Sequence, residues 1–119
     1  KAIDGRSPRT FGVGVYRKNT VLGLKENTLD YIRQGLRKVV SEPSGTANVL
    51  AGLSVSVAGK TGTAQVPGSQ PHGWFTGFFP FKNPKFVICV FLEHGGSGYY
   101  ASALAKQIIE SMVKEGLVP

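Results

Sequence analysis

The chain has 119 residues, 14 Lys plus Arg against 7 Asp plus Glu, and a net charge of +7. That length suits one domain with a core and is short for two, and a hydrophobic share of 41% argues against intrinsic disorder. No apolar run approaches the roughly 18–20 residues of a membrane span, and the single Cys89 excludes an internal disulfide and a cysteine-rich metal site.

Charge is uneven along the chain. Up to Val40 there are nine basic residues against Asp4, Glu26 and Asp30. Such a stretch can meet an anionic polymer, lipid or acidic substrate, or simply be a solvated surface. No nucleic-acid-binding signature accompanies it. The first residues, Lys1 to Gly5, lack the apolar core of a signal peptide.

Residues 1–26 read as irregular, with a strand at residues 11–16. A helix is predicted over residues 27–41, capped by Asn27 with Asp30 as its capping-box partner. Leu29, Ile32, Leu36, Val39 and Val40 form its apolar stripe. Pro43 stops it, and Ser44-Gly45 marks a turn. The next strand is predicted at residues 55–66, where Gly59 and Gly62 suggest close approach of a ligand or another backbone. After a loop at residues 67–73 comes an aromatic strand at residues 74–79. Residues 86–92, Phe-Val-Ile-Cys-Val-Phe-Leu, show no alternation and read as a central strand buried on both faces. Residues 95–98 form a flexible loop. A final helix over residues 101–114 places Ala101, Leu104, Ala105, Ile108, Met112 and Val113 on its apolar face. Short loops between the strands suit an antiparallel meander. The fold class is mixed α/β: helix, three antiparallel strands, helix.

Gly59-Lys60-Thr61 invites a phosphate-loop reading, which fails. The residue five before Gly59 is Ser54 rather than glycine, and the residues after Thr61 make a poor helix start. Gly12-x-Gly14 is succeeded by Arg17 where a dinucleotide fingerprint needs glycine. His72, His94, Glu93 and Cys89 lack metal-ligand spacing.

Lys60-Thr61-Gly62 has a second meaning as the third motif of penicillin-recognising serine acyl transferases. The run Val-Ala-Gly-Lys-Thr-Gly-Thr-Ala-Gln-Val at residues 57–66 closely resembles that motif's strand in class B penicillin-binding proteins. The helix upstream, the Ser-Gly-Thr-Ala turn at residues 44–47 and the His-Gly-Trp-Phe-Thr-Gly-Phe-Phe-Pro run at residues 72–80 are similar to the family in the same order. Residues 92–98 and the last helix lean towards the cell-elongation, penicillin-binding protein 2-like subgroup. The resemblance covers about residues 25–116.

The resemblance implies a β-lactamase/transpeptidase-like fold and peptidoglycan D,D-transpeptidation by serine acyl transfer. Lys60 would point into the cleft, support the substrate's terminal carboxylate and assist proton transfer. The Thr61 and Thr63 hydroxyls would bind that carboxylate. Gly62 would let substrate lie flat against the strand, and the Thr63 N–H would be one oxyanion donor. Ala64 and Gln65 would pair with the extended substrate backbone. No metal or organic cofactor is implied. The implied partners are the peptidoglycan stem peptide, β-lactam antibiotics, a glycan-polymerising membrane protein and the N-terminal part of the same protein. The implied place is the outer, periplasmic face of the bacterial inner membrane, reached through an anchor outside this chain.

The chain departs from the full pattern. Its Ser-x-x-Lys, Ser111 to Lys114, comes after the Lys-Thr-Gly motif instead of before it, and no Ser-x-Asn occurs. Residues 1–119 are therefore expected to be the C-terminal part of a transpeptidase domain, without its nucleophile and inactive alone. Two alternatives stand beside this reading. One is a β-lactam sensor or β-lactamase of the same superfamily; the other is a non-enzymatic basic binding module.

Overall fold

A computed structural model describes residues 2–3, 10–11 and 18–119. Strands β1 (Ala2–Ile3) and β2 (Thr10–Phe11) pair antiparallel, Ala2 opposite Phe11. That pair lies in the stretch expected to be irregular. The rest of the strand expected at residues 11–16 lies outside the described residues.

Helix α1 spans Glu26–Ser41. The expected Asn27 cap is not formed. The helix begins one residue earlier, so Asn27 falls inside its first turn and Lys25 takes the cap position without a side-chain bond. Asp30 faces Arg33 instead, 3.6 Å away. Along the expected stripe Val40 is buried and Leu29, Leu36 and Val39 are partly so, while Ile32 is 50% exposed. The apolar stripe thus seats only its C-terminal end.

That end is finished by a side chain from beyond the turn. Asn48 Nδ2 donates to the carbonyls of Val40 (3.0 Å) and Glu42 (2.8 Å), satisfying acceptors that a helix end leaves open. The backbone N–H of Ala47 reaches the Val39 carbonyl at 3.1 Å. Asn48→Ala is expected to destabilise by about 1–3 kcal/mol through two lost bonds, read as a lower thermal midpoint.

A 3-10 helix at Asn48–Gly52 leads to β3 (Ala58–Ala64). Residues 55–57 precede the ladder, with Val55 and Val57 buried. Arg37 Nη1 of α1 donates to the Val57 carbonyl at 2.9 Å and ties helix to strand start. Strands β4 (His72–Phe79) and β5 (Phe86–Leu92) complete an antiparallel sheet of order β3-β4-β5. Register runs from Ala58 opposite Phe78 to Ala64 opposite His72, and from Gly73 opposite Leu92 to Phe79 opposite Phe86.

The expected bounds of β5 hold, but its expected burial does not. Among the described residues β5 is an edge strand, and β4 is central. Val87 is 79% exposed, and Cys89 and Phe91 are exposed too. An apolar run lacking alternation suggests double burial, yet one face is open.

Helix α2 spans Gly98–Lys114, three residues earlier than expected. Its buried face is Gly98, Ala101, Ser102, Ala105 and Ile109, with Met112 and Val113 half-buried. Leu104 and Ile108, expected inside, are exposed. The helix is turned so that its small residues meet the sheet. The core joins Val40, Leu50, Val57, Phe75, Phe79, Val90, Ala105 and Ile109 in one cluster.

Candidate active site

Phe75 explains the glycine at position 59 of β3. Its fully buried ring lies under the paired Gly59 and Gly77. A Cβ at Gly59 would meet the Thr76 carbonyl oxygen at 2.5 Å and Phe75 Cζ at 2.6 Å. The close approach expected at Gly59 is therefore made by the protein itself. Gly62 differs: a Cβ there would meet only Trp74 Cβ at 3.5 Å, an ordinary contact.

The pleat sorts the motif. Lys60, Gly62 and Ala64 fall on one face of β3, alongside Thr76 and Trp74 of β4 and Cys89 and Phe91 of β5. This face is largely open; Trp74 stacks on Phe91 with centroids 4.3 Å apart, and Thr76 Oγ1 approaches Cys89 Sγ at 3.4 Å. Gly59, Thr61 and Thr63 fall on the other face, towards the Ser-Gly-Thr-Ala turn and the start of α2. One ligand can reach Lys60 and both threonines only from the strand's edge. Among the described residues that edge is free, because β3 pairs with β4 alone.

Each side chain has a definite neighbour. The exposed Lys60 ammonium donates to the Thr61 carbonyl at 2.9 Å, so it folds over the backbone of its own strand. Thr61 Oγ1 lies 2.7 Å from Thr46 Oγ1. Thr63 Oγ1 accepts the Gly98 N–H at 2.9 Å. The first helical N–H groups have no partner inside their helix, and Ser97 makes no side-chain cap. Thr63 supplies one from another element. Ala64 closes the ladder opposite His72, and Gln65 is exposed just beyond it.

Thr46 and Gly98 join the neighbourhood although sequence reasoning assigns them no role. Thr46 lies in the Ser-Gly-Thr-Ala turn already noted, but only the fold brings it beside Thr61. Gly98, expected in a loop, opens α2. A Cβ there would meet the Gly62 oxygen at 2.7 Å, Thr61 Cβ at 2.9 Å and the Gly62 nitrogen at 3.0 Å. The helix start is thus in direct contact with the back of the motif.

The histidines pack the sheet end. The backbone N–H of His94 donates to His72 Nδ1 at 2.9 Å, and His94 Nδ1 contacts the Gln70 carbonyl at 3.0 Å and Ser69 Oγ at 3.1 Å. Ser111 Oγ donates to the Gln107 carbonyl one turn back, at 3.0 Å. It stands 13 positions after Gly98 in α2, about 20 Å along the axis at roughly 1.5 Å per residue. Lys60 to Gly62 lie inside an extended strand and not at a helix start, in keeping with the rejection of a phosphate loop.

Residues 16–114 match the family model of the penicillin binding protein transpeptidase domain. The chain belongs to this family. This transpeptidase-family chain is 32% identical over 102 residues to the peptidoglycan D,D-transpeptidase MrdA of Haemophilus influenzae. That match covers 71% of the chain and 16% of the relative, so the chain spans under a fifth of that protein's length. It superposes on Helicobacter pylori penicillin-binding protein 2, solved in complex with MreC, with a TM-score of 0.71 at 30% identity. The overlap covers 80% of this chain and 19% of the other. A D,D-transpeptidase domain of a peptidoglycan glycosyltransferase from Eggerthella lenta gives a TM-score of 0.69 at 28% identity, covering 93% and 25%. The fold is that of penicillin-binding transpeptidase domains.

Proposed function

We propose that this chain is the C-terminal part of a transpeptidase domain and that the full-length protein is a peptidoglycan D,D-transpeptidase. The observation that carries the reading is β3 itself. It is a strand paired on one side among the described residues, with an ammonium on one face and two hydroxyls on the other, all reachable from its other edge.

The chemistry divides between this chain and the remainder of the protein. A serine outside residues 1–119 attacks the carbonyl of the penultimate D-Ala. The peptide bond breaks, terminal D-Ala leaves with the proton taken from the serine, and an acyl-enzyme remains. An amine of a second stem peptide then attacks the ester and releases the serine. Lys60 contributes positive charge near the terminal carboxylate and assists proton transfer. Thr61 and Thr63 hydrogen-bond that carboxylate through their hydroxyls. The Thr63 N–H and the nucleophile's own N–H stabilise the oxyanion. The lack of a side chain at Gly62 lets the substrate lie flat against the strand, and Ala64 and Gln65 extend the edge along which its backbone lies. β-Lactams acylate the same serine. No metal or organic cofactor enters the scheme. The work is placed at the extracytoplasmic face of the bacterial inner membrane, beside a polymerase that makes the glycan strands. Among the described residues no helix is long and apolar enough to cross a membrane, and the reading assigns the anchor to another segment.

Incubating the full-length protein with benzylpenicillin and mapping the adduct by mass spectrometry tests this. The expected result is a stable penicilloyl group on one serine outside residues 1–119. An adduct on Ser111 would overturn the division of the site. Rapid hydrolysis of the drug would identify a β-lactamase, and no adduct at all would remove the acyl-transfer reading.

A further inference from the structure

Thr46 stands on a well-held backbone. Ala47 behind it is fully buried and its N–H is bonded to Val39, while Gly45 N–H reaches the Glu42 carbonyl at 2.9 Å. Asn48 clamps the next position to the end of α1 through two bonds. Thr46 is itself exposed, and its hydroxyl's partner among the described residues is Thr61 Oγ1, at 2.7 Å. That is the usual length of a hydroxyl–hydroxyl bond.

We infer that Thr46 is a positioning residue for the Thr61 hydroxyl. The inference rests on the reading of Thr61 as a carboxylate ligand. Two hydroxyls share one bond, and each carries one proton. With Thr61 donating to Thr46, Thr61 presents only lone pairs to an incoming anion. With Thr46 donating, the Thr61 proton is free to point at the carboxylate, and the pair becomes a chain in which each bond strengthens the next. Without ligand Thr61 donates to Thr46; when a carboxylate binds, the pair reverses, so that Thr46 holds the Thr61 rotamer and donates to it while the Thr61 proton turns to the ligand. No bond to carbon changes; two O–H groups rotate. A carboxylate is recognised this way, and a ligand lacking the negative charge gains less.

The test compares acylation of the full-length protein by benzylpenicillin and by its methyl ester. Thr46→Val keeps the branched shape and removes the hydroxyl. It is expected to slow acylation by benzylpenicillin about two- to twelve-fold, the worth of one neutral hydrogen bond, and to leave the ester nearly unaffected. Thr46→Ser is expected to restore the rate. Adding Thr46→Val to Thr61→Val should cost nothing more, since both act through one hydroxyl. If Thr61→Val slows acylation and Thr46→Val does not, the inference is overturned while the role of Thr61 stands. Equal losses on acid and ester would make Thr46 a structural residue and also overturn it. If Thr61→Val changes nothing, the underlying reading fails and the inference falls with it.

Discussion

Lys60→Ala in the full-length protein is expected to slow acylation by benzylpenicillin about 10²–10⁴-fold, the span of one positioned proton-transfer group. The folded state should scarcely notice. The side chain is exposed and its bond is to the carbonyl of the next residue, so truncation opens no cavity and leaves no buried charge unpaired. Activity and stability are therefore separable at this position. Stopped-flow acylation with a thermal melt of the same sample provides both readouts. Lys60→Arg sharpens the comparison. Arginine keeps the charge, yet its fork is bulkier and does not give up a proton near neutral pH. A rate recovered by arginine would assign Lys60 to electrostatic support of the carboxylate; continued loss would assign it to proton transfer. Near-normal acylation by Lys60→Ala would take the residue out of the mechanism.

The strands that carry the candidate site are more legible in the sequence than the packing around them. The motif at residues 59–63 is contiguous, so its strand and the strand beside it can be read from pattern, although β3 is shorter than the expected 55–66 and β4 starts at His72, inside the expected loop. The bounds of β5 are readable from composition in the same way. Long-range contacts are not. Thr46 is 15 residues from Thr61 and Gly98 is 35 from Thr63, and no local rule connects either pair. The burial errors share one physical origin. Apolar residues at Ile32, Leu104, Ile108 and Val87 satisfy helix or strand periodicity, but periodicity does not say which elements cover a face. Within the described residues these faces stay open. The relatives are several times longer than this chain, and a segment of such a protein need not cover every apolar surface by itself. The early start of α2 has another cause. Gly98, Tyr99 and Tyr100 are weak helix formers, so propensity places the boundary at Ala101, while the Thr63 hydroxyl stabilises a start at Gly98.

That boundary carries the second large effect. Gly98→Ala adds one methyl group where the nearest atoms are the Gly62 backbone and Thr61 Cβ, at 2.7–3.0 Å. None of these is the far end of a flexible chain, so the strand or the helix must move. Inserting a methyl into such a contact costs about 1–3 kcal/mol. The expected catalytic consequence is of comparable size. The displaced atoms are those of the motif itself, and a shift of about 1 Å in a positioned group can cost roughly 10²-fold in rate. The shift would also stretch the Gly98 N–H bond to Thr63. Acylation by benzylpenicillin is expected to fall by about that factor, with a melting point lowered by a few degrees. Gly35→Ala in α1 is the matched control. A Cβ there meets nothing within 4 Å among the described residues, and alanine in a helix interior stabilises by about 0.5–1 kcal/mol relative to glycine. Its melting point should rise with acylation unchanged. Normal acylation by Gly98→Ala, whatever its melting point, would mean that the start of α2 does not set the position of Thr61 to Thr63, and the motif would have to be held by contacts with the remainder of the protein.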